Sequence, residues 1–516
     1  MKTKLIVLFL LATNMVAFAQ KMPVSYEFGE RYNDRYKYSN LLTIADDGEG
    51  GSILVRSYFT GLILRPKGFF IEHYNKDLEL VSEFNYKLTD IDFVDGYVKN
   101  GKLHLLLLKY NLGTASYEYV IHTSSLAVMD FKEDVILSIE SVQVENALDK
   151  NYYNRNFSSG FTTSVLFNED KSAFAITTHF KKRSDNQHFI YLFDTSGTKL
   201  MEYDFSAEIE EKNYAFEDIA VSKDLKKVYL IGKAYYKKKR FAATERKFQY
   251  ELLHIDENGG RTQTFDDPGK FSEALKPILI ENKLVFVGFF ADRKDNRYNG
   301  LVYFELNPNS LEIVQKKYHP FSEQFMADKF GIGEEREISN LIFKNVTVTD
   351  EKDILFNAEE YFVTSSVQQD ASGARLHIDR YHYNDMVSAK LDASGELIWT
   401  RNINKSEVTQ NDAAYASYSS YTLGNDTYFF ISTASENPQQ LSNERIIFRQ
   451  GYSRNRNVFL IKLDVQGNMS YEKVIDDKDA RLPLMVSIPF TDKKDNSMLF
   501  YAKRGSKKQL VKVSFK

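Results

Sequence analysis

Apolar and polar residues alternate along most of this chain in short runs, and one hairpin shape returns again and again: an apolar strand, a polar turn, a second strand. The clearest copies are Phe189–Gly197, Glu251–Gly259, Ser388–Gly395 and Phe459–Gly467, and each turn reads Asp-x-x-Gly. That spacing has a mechanical reason. The Asp side chain accepts from backbone N–H groups two residues on, and the Gly takes a positive φ. Looser copies lie at Phe69–Phe84, Tyr117–Phe131 and Leu301–Tyr318.

Before each hairpin sits another pair, a mixed strand turning through polar residues into a strongly apolar one. Examples are Thr163–Phe167 with Ser172–Phe180, Leu275–Ile280 with Leu284–Phe290, and Leu341–Val348 with Ile354–Phe362. Each unit therefore holds four strands, and eight units fill the chain at about 62 residues each, longer than the ~40 to 50 of compact blades. Four-stranded units in a ring predict an all-β fold, a single β-propeller of eight blades, with seven as the alternative count. The last unit stops after three strands at the C-terminus, so Val24–Phe28 is expected to supply the missing outer strand and close the ring. Two smaller propellers, or a sandwich followed by a propeller, are the competing layouts.

Composition sharpens this picture. The 33 Tyr and 39 Phe suit half-buried pleated surfaces. At the start, Lys2 and Lys4 precede an apolar run from Leu5 to Ala17 that ends in Ala17-Phe18-Ala19. This is the pattern of a signal peptide over 1–19, leaving one domain over 20–516. The run is shorter than the ~20 residues a membrane span needs. With no cysteine, a lipid anchor on Cys, disulfides, thiolate metal sites and Cys nucleophiles are all excluded. A formal charge of -4 argues against coating nucleic acid or a membrane surface.

The segment Lys390–Trp399, an Asp-x-x-Gly turn leading to a Trp on the outer strand, resembles the repeat of quinoprotein-like (WD40-like) propellers. The resemblance implies the fold and the docking of neighbouring blades by such tryptophans. Trp399 is the chain's one Trp, with Met201, Thr264 and Tyr471 at the matching places, which argues against the family's redox cofactor; no cofactor is expected.

In a propeller the turns after strands one and three share one face, and the links after strands two and four share the other. The first set is short in nearly every unit. The second includes Glu133–Gly160, Lys237–Lys247, His319–Ser339, Ser366–Arg380 and Ala434–Arg456. All elaboration is therefore expected on one face, where loops on a rigid scaffold carry recognition. These loops mix aromatics with cations: Tyr152, Tyr153 and Arg155; Lys238, Arg240, Phe241 and Arg246; Phe325; and Arg445, Arg449, Tyr452 and Arg454. Such residues favour a protein interface.

No nucleophile elbow or phosphate loop is present. His377, Asp379, His382 and Asp385 are metal-ligand types, but His377 and His382 would face opposite sides of one strand, so no metal site is expected. The expectation is a non-catalytic periplasmic propeller that binds a protein partner in the cell envelope. It would be an accessory or plug subunit of an outer-membrane or secretion assembly. The alternative is a secreted hydrolase or lyase acting on polysaccharide or peptide at the central cleft, and an extracellular location.

Overall fold

The computed structural model describes residues 22–62, 64–140, 161–182, 185–209, 212–236, 247–292, 297–334, 338–369, 375–410, 413–442, 445–451, 457–480 and 482–516. Among them, eight sheets carry four or more strands, and the four blade strands of each run antiparallel to their neighbours. These blades span Ser39–Tyr86, Ile91–Glu140, Phe161–Asp204, Lys212–Thr264, Phe271–Pro320, Leu341–Ile403, Tyr418–Ile475 and Phe490–Phe515, numbered 1 to 8 below. The fold is the all-β propeller the repeat predicts. In blade 8 the N-terminal strand Val24–Phe28 pairs with Lys507–Phe515, Val24 opposite Phe515 and Phe28 opposite Val511, and so supplies the outer strand. Closure joins both ends of the chain and leaves the ring without an open seam.

The cores lie between the blades. Ile53 and Ile71 of blade 1 meet Leu103 and Leu105 of blade 2. Phe430 and Leu460 of blade 7 meet Phe500 and Val511 of blade 8. Leu54 and Tyr74 of blade 1 meet Tyr501 and Leu510 of blade 8 and complete the circle. Each such side chain contributes roughly 1.5–3 kcal/mol on full burial, so every blade is held by both neighbours.

The Asp-x-x-Gly turns act as expected. Asp392 Oδ1 accepts from the N–H groups of Ser394 and Glu396 at 2.8 Å each, and Asp464 Oδ1 from Gln466 at 2.9 Å and Asn468 at 2.8 Å. They also dock blades. Gly395, at φ 80°, lies against the ring of Tyr303 in blade 5, where an added Cβ would come within 2.5 Å of the ring. Gly467 sits likewise on Trp399 of blade 6, whose Nε1 donates to Val465 O at 3.0 Å.

A buried charge cluster clasps the closure. The Arg56 guanidinium is bidentate to Glu72 at 3.0 and 2.9 Å and to Asp34 at 2.8 and 3.1 Å, and all three side chains are fully buried. Lys503 reaches Asp34, and Lys508 reaches Glu72 and Glu83, so blade 8, blade 1 and the N-terminal segment share one network.

Candidate functional site

The two faces of the ring differ as the connection lengths predict. Turns after first strands are short, as at 100–101, 281–282 and 424–425, whereas 321–340, 404–417, 434–456 and 476–489 link blades or second and third strands on the opposite face. Two stretches depart from expectation, and in the first Glu133–Glu140 is no loop but part of the outer strand Lys132–Glu140 of blade 2, paired with Ser116–Ser125, while 141–160 lie outside the described residues. In the second, Ser366–Gln369 and Arg375–Arg380 are strand: Ile354–Gln369 and Arg375–Leu391 are the second and third strands of blade 6, prolonged into a hairpin that stands out from the ring. Cross-strand pairs run unbroken from Tyr361 opposite Tyr383 to Gln369 opposite Arg375. Phe362 stacks on His382 at 4.4 Å, and Thr364 bonds the same imidazole at 2.9 Å.

This hairpin, the arm, belongs to a small sheet on the elaborated face. Lys405–Thr409 pairs with Tyr381–Tyr383, Ile446–Arg449 runs parallel to it, and Gln439–Gln440 ends the sheet. Its base rests on buried charge. The Lys405 ammonium is enclosed by Glu359 at 3.0 Å, Glu407 at 2.9 Å and Tyr383 O at 2.7 Å, three acceptors for three donors. Burial pulls the Lys405 pKa down, but Glu407 and Glu359 outweigh it and hold the ammonium above its ordinary value. Ser417 adds its N–H to Glu407 at 2.7 Å and its hydroxyl to Glu359 at 2.6 Å.

Beside the base lies the helix Glu323–Phe330, capped by Ser322, whose side chain accepts from Phe325 N at 3.1 Å. Lys329, near its end, reaches Asp385 at 2.6 Å and Glu360 at 3.1 Å, both at the root of the arm. Burial lowers the Lys329 pKa, yet the two carboxylates prevail and raise it. Arg401 pins Asp328 at 2.6 Å. The arm therefore stands on a fixed platform.

Of the residues singled out from sequence, Tyr152, Tyr153, Arg155, Lys238, Arg240, Phe241, Arg246, Tyr452 and Arg454 lie outside the described residues. Phe325 requires correction: its ring is fully buried in the core between blades 5 and 6 and stacks on Phe321 at 4.4 Å, so it cannot meet a partner. The missed signal was an apolar residue just before the cap, Phe321, folding back onto one in the first turn, Phe325. Arg445 points inward, donating to the Asp328, Lys329 and Phe330 carbonyls at the helix C-terminus. Arg449 is exposed at the end of its strand in the small sheet. Sequence reasoning missed the arm and its platform.

The axis of the ring holds a cavity of about 1040 Å³ at the short-turn end, lined by Asp46, Asp47, Asp170 and Asp194 among others. These carboxylates are occupied. Asp46 accepts from Gly48 N at 2.9 Å, Asp47 from Glu49 N and Gly51 N at 2.8 Å, Asp170 from Ser172 N at 2.9 Å and Asp194 from Ser196 N at 2.8 Å. They cap turns. A narrower cavity of about 310 Å³ runs along the inner strands of blades 3 to 8, where Lys276 pairs with Asp218. His377 and His382 sit opposite Val367 and Phe362, five positions apart on one strand, and among the described residues no His, Asp and Glu side chains gather as a metal site.

No protein-family model and no curated protein sequence matches the chain. Among solved structures it is similar to the polysaccharide lyase Uly1 (8% identity, 95% of this chain and 99% of that one, TM-score 0.36). It is similar too to the β-propeller domain of the trilobed protease from Pyrococcus furiosus (9%, 86% and 98%, TM-score 0.35). Prolyl oligopeptidase B from Galerina marginata gives 9% identity over 94% of this chain and 56% of its own, TM-score 0.39. Superpositions this loose carry no functional inference.

Proposed function

We propose that the protein is a non-catalytic β-propeller, exported to the periplasm, that holds a protein partner on its elaborated face as an accessory or plug subunit of an envelope or secretion assembly. The observation that carries this reading is the arm. A rigid hairpin raised on a buried platform, with Val363, Val367 and Leu376 exposed, places apolar surface where a monomer has no use for it. The signal-peptide pattern at 1–19 supports export, and among the described residues no helix is long and apolar enough to cross a membrane. Trp399 seated on Gly467 supports kinship with quinoprotein-like propellers, in which such contacts dock the blades. The axial carboxylates are committed to turns, so the reading takes no catalytic step from them.

The test is affinity purification of the tagged chain from envelope extract, beside a variant in which Thr364–Arg380 is replaced by Asn-Gly. Recovery of a stoichiometric partner with the full chain and its loss with the shortened arm is expected. Recovery of free chain in both cases contradicts the reading.

A further inference from the structure

The outer edges of the blades in this protein carry charge, and the arm holds an edge that does not. Each of the eight outermost strands carries at least one charged residue: Glu27, Glu83, Glu133, Glu202, Arg261, Lys316, Arg401 and Glu472 are examples, one from each. Charges of this kind keep an open strand from pairing with another chain. The arm has two edges. On one, Arg375–Arg380 carries Arg375, Asp379 and Arg380. The other, Phe362–Gln368, reads Phe-Val-Thr-Ser-Ser-Val-Gln, with no charge and no proline, and its register against the neighbouring strand has no bulge. Among the described residues no strand pairs with it.

The direction of its hydrogen-bonding groups follows from one contact. Tyr361 N donates to Asn340 O at 2.8 Å, away from Arg375–Leu391. In an antiparallel strand both backbone groups of a residue point the same way and alternate with the next. Val363, Ser365 and Val367 therefore direct their N–H and C=O outward, while Thr364 and Ser366 bond within the arm.

We infer that this edge pairs with the same edge of a second copy of the chain, antiparallel about a two-fold axis at Ser365. The strand is complementary to itself in that register. Val363 falls opposite Val367 of the second copy, Thr364 opposite its Ser366, and Phe362 opposite its Gln368, so no like charges meet. Val363 and Val367, 44% and 56% exposed, lie on one face and cover each other twice. A two-fold contact uses both edges at once and closes, giving a dimer and not a fibre. This goes beyond the partner reading and needs no other protein.

Sedimentation of the purified full chain tests it. The mass should rise from monomer to dimer between about 1 and 100 µM, the range suited to so limited a contact. Ser365→Pro removes an outward N–H that the arm does not use, and should leave a folded monomer. Val363→Lys with Val367→Lys sets cations opposite one another and should weaken the dimer at least about tenfold, while Val363→Lys with Val367→Glu restores it. A monomer at every concentration, or a dimer indifferent to all three variants, overturns the inference. Either result leaves the envelope-partner reading standing, because that reading is judged by what the extract yields.

Discussion

Blade 8 and blade 6 treat strand edges in opposite ways. Blade 8 lacks an outer strand of its own, borrows Val24–Phe28, and locks the join with the Arg56, Asp34 and Glu72 cluster. Blade 6 prolongs two strands past its core and leaves one side of them open and uncharged. Both rest on buried ion pairs, but one cluster shuts an edge while the other holds an edge out. The contrast teaches that buried charge here fixes where strands end up, a registry role distinct from bulk stability.

The largest way to break the contrast is at the clasp. Arg56→Met takes the bidentate partner from Asp34 and Glu72, leaves them only Lys503 and Lys508, and should cost about 3 kcal/mol in denaturant unfolding. Lys405→Met strands Glu359 and Glu407 in the same way; a loss of about 3 kcal/mol is expected, with hydrogen exchange speeding up first in the arm. Next comes docking of the ring itself. Gly395→Ala forces a side chain at φ 80° into the Tyr303 ring, for roughly 1–3 kcal/mol by thermal unfolding.

Alkali should probe both regions together. Lys329 and Lys405 have raised pKa values when folded, so their contribution is full below the ordinary lysine pKa and fades as pH rises through the folded one. Burial pushes Tyr86 and Tyr191 up to about 12, which favours the neutral phenol and loses stability in the same direction above about pH 10. Melting temperature should fall steeply from about pH 10 upward, with the buried phenols adding their tyrosinate absorbance only at unfolding. Smallest of all, replacing Thr364–Arg380 by Asn-Gly should change stability by no more than about 0.5 kcal/mol, since its described residues, 364–369 and 375–380, belong to neither hydrophobic core that flanks blade 6.

The ring was legible because the middle strands of its blades are continuous apolar runs buried on both faces, as in Lys283–Ala291 and Asn457–Leu463, and because Asp194, Asp392 and Asp464 cap turns whose Gly takes positive φ. The orphan strand Val24–Phe28 was legible as the missing edge. The arm was not. Beyond Phe362 both its faces meet solvent, so Thr364, Ser365 and Ser366 show no alternation to betray a strand, and polar residues read as a loop. The helix Glu323–Phe330 escaped for another reason: at eight residues it is too short for a periodic pattern, and Phe325 looked like an exposed anchor when it is a core residue. Burial depends on what the rest of the chain places nearby, which spacing cannot report.

The central claim is that the arm is a folded hairpin with one open edge, and residue-resolved amide exchange on the dilute monomer tests it most directly. Alternation is expected: Thr364 and Ser366 protected, Val363, Ser365 and Val367 exchanging freely. Uniform protection would mean the edge is already covered within the chain, and uniform fast exchange would mean no hairpin stands there; either contradicts the account.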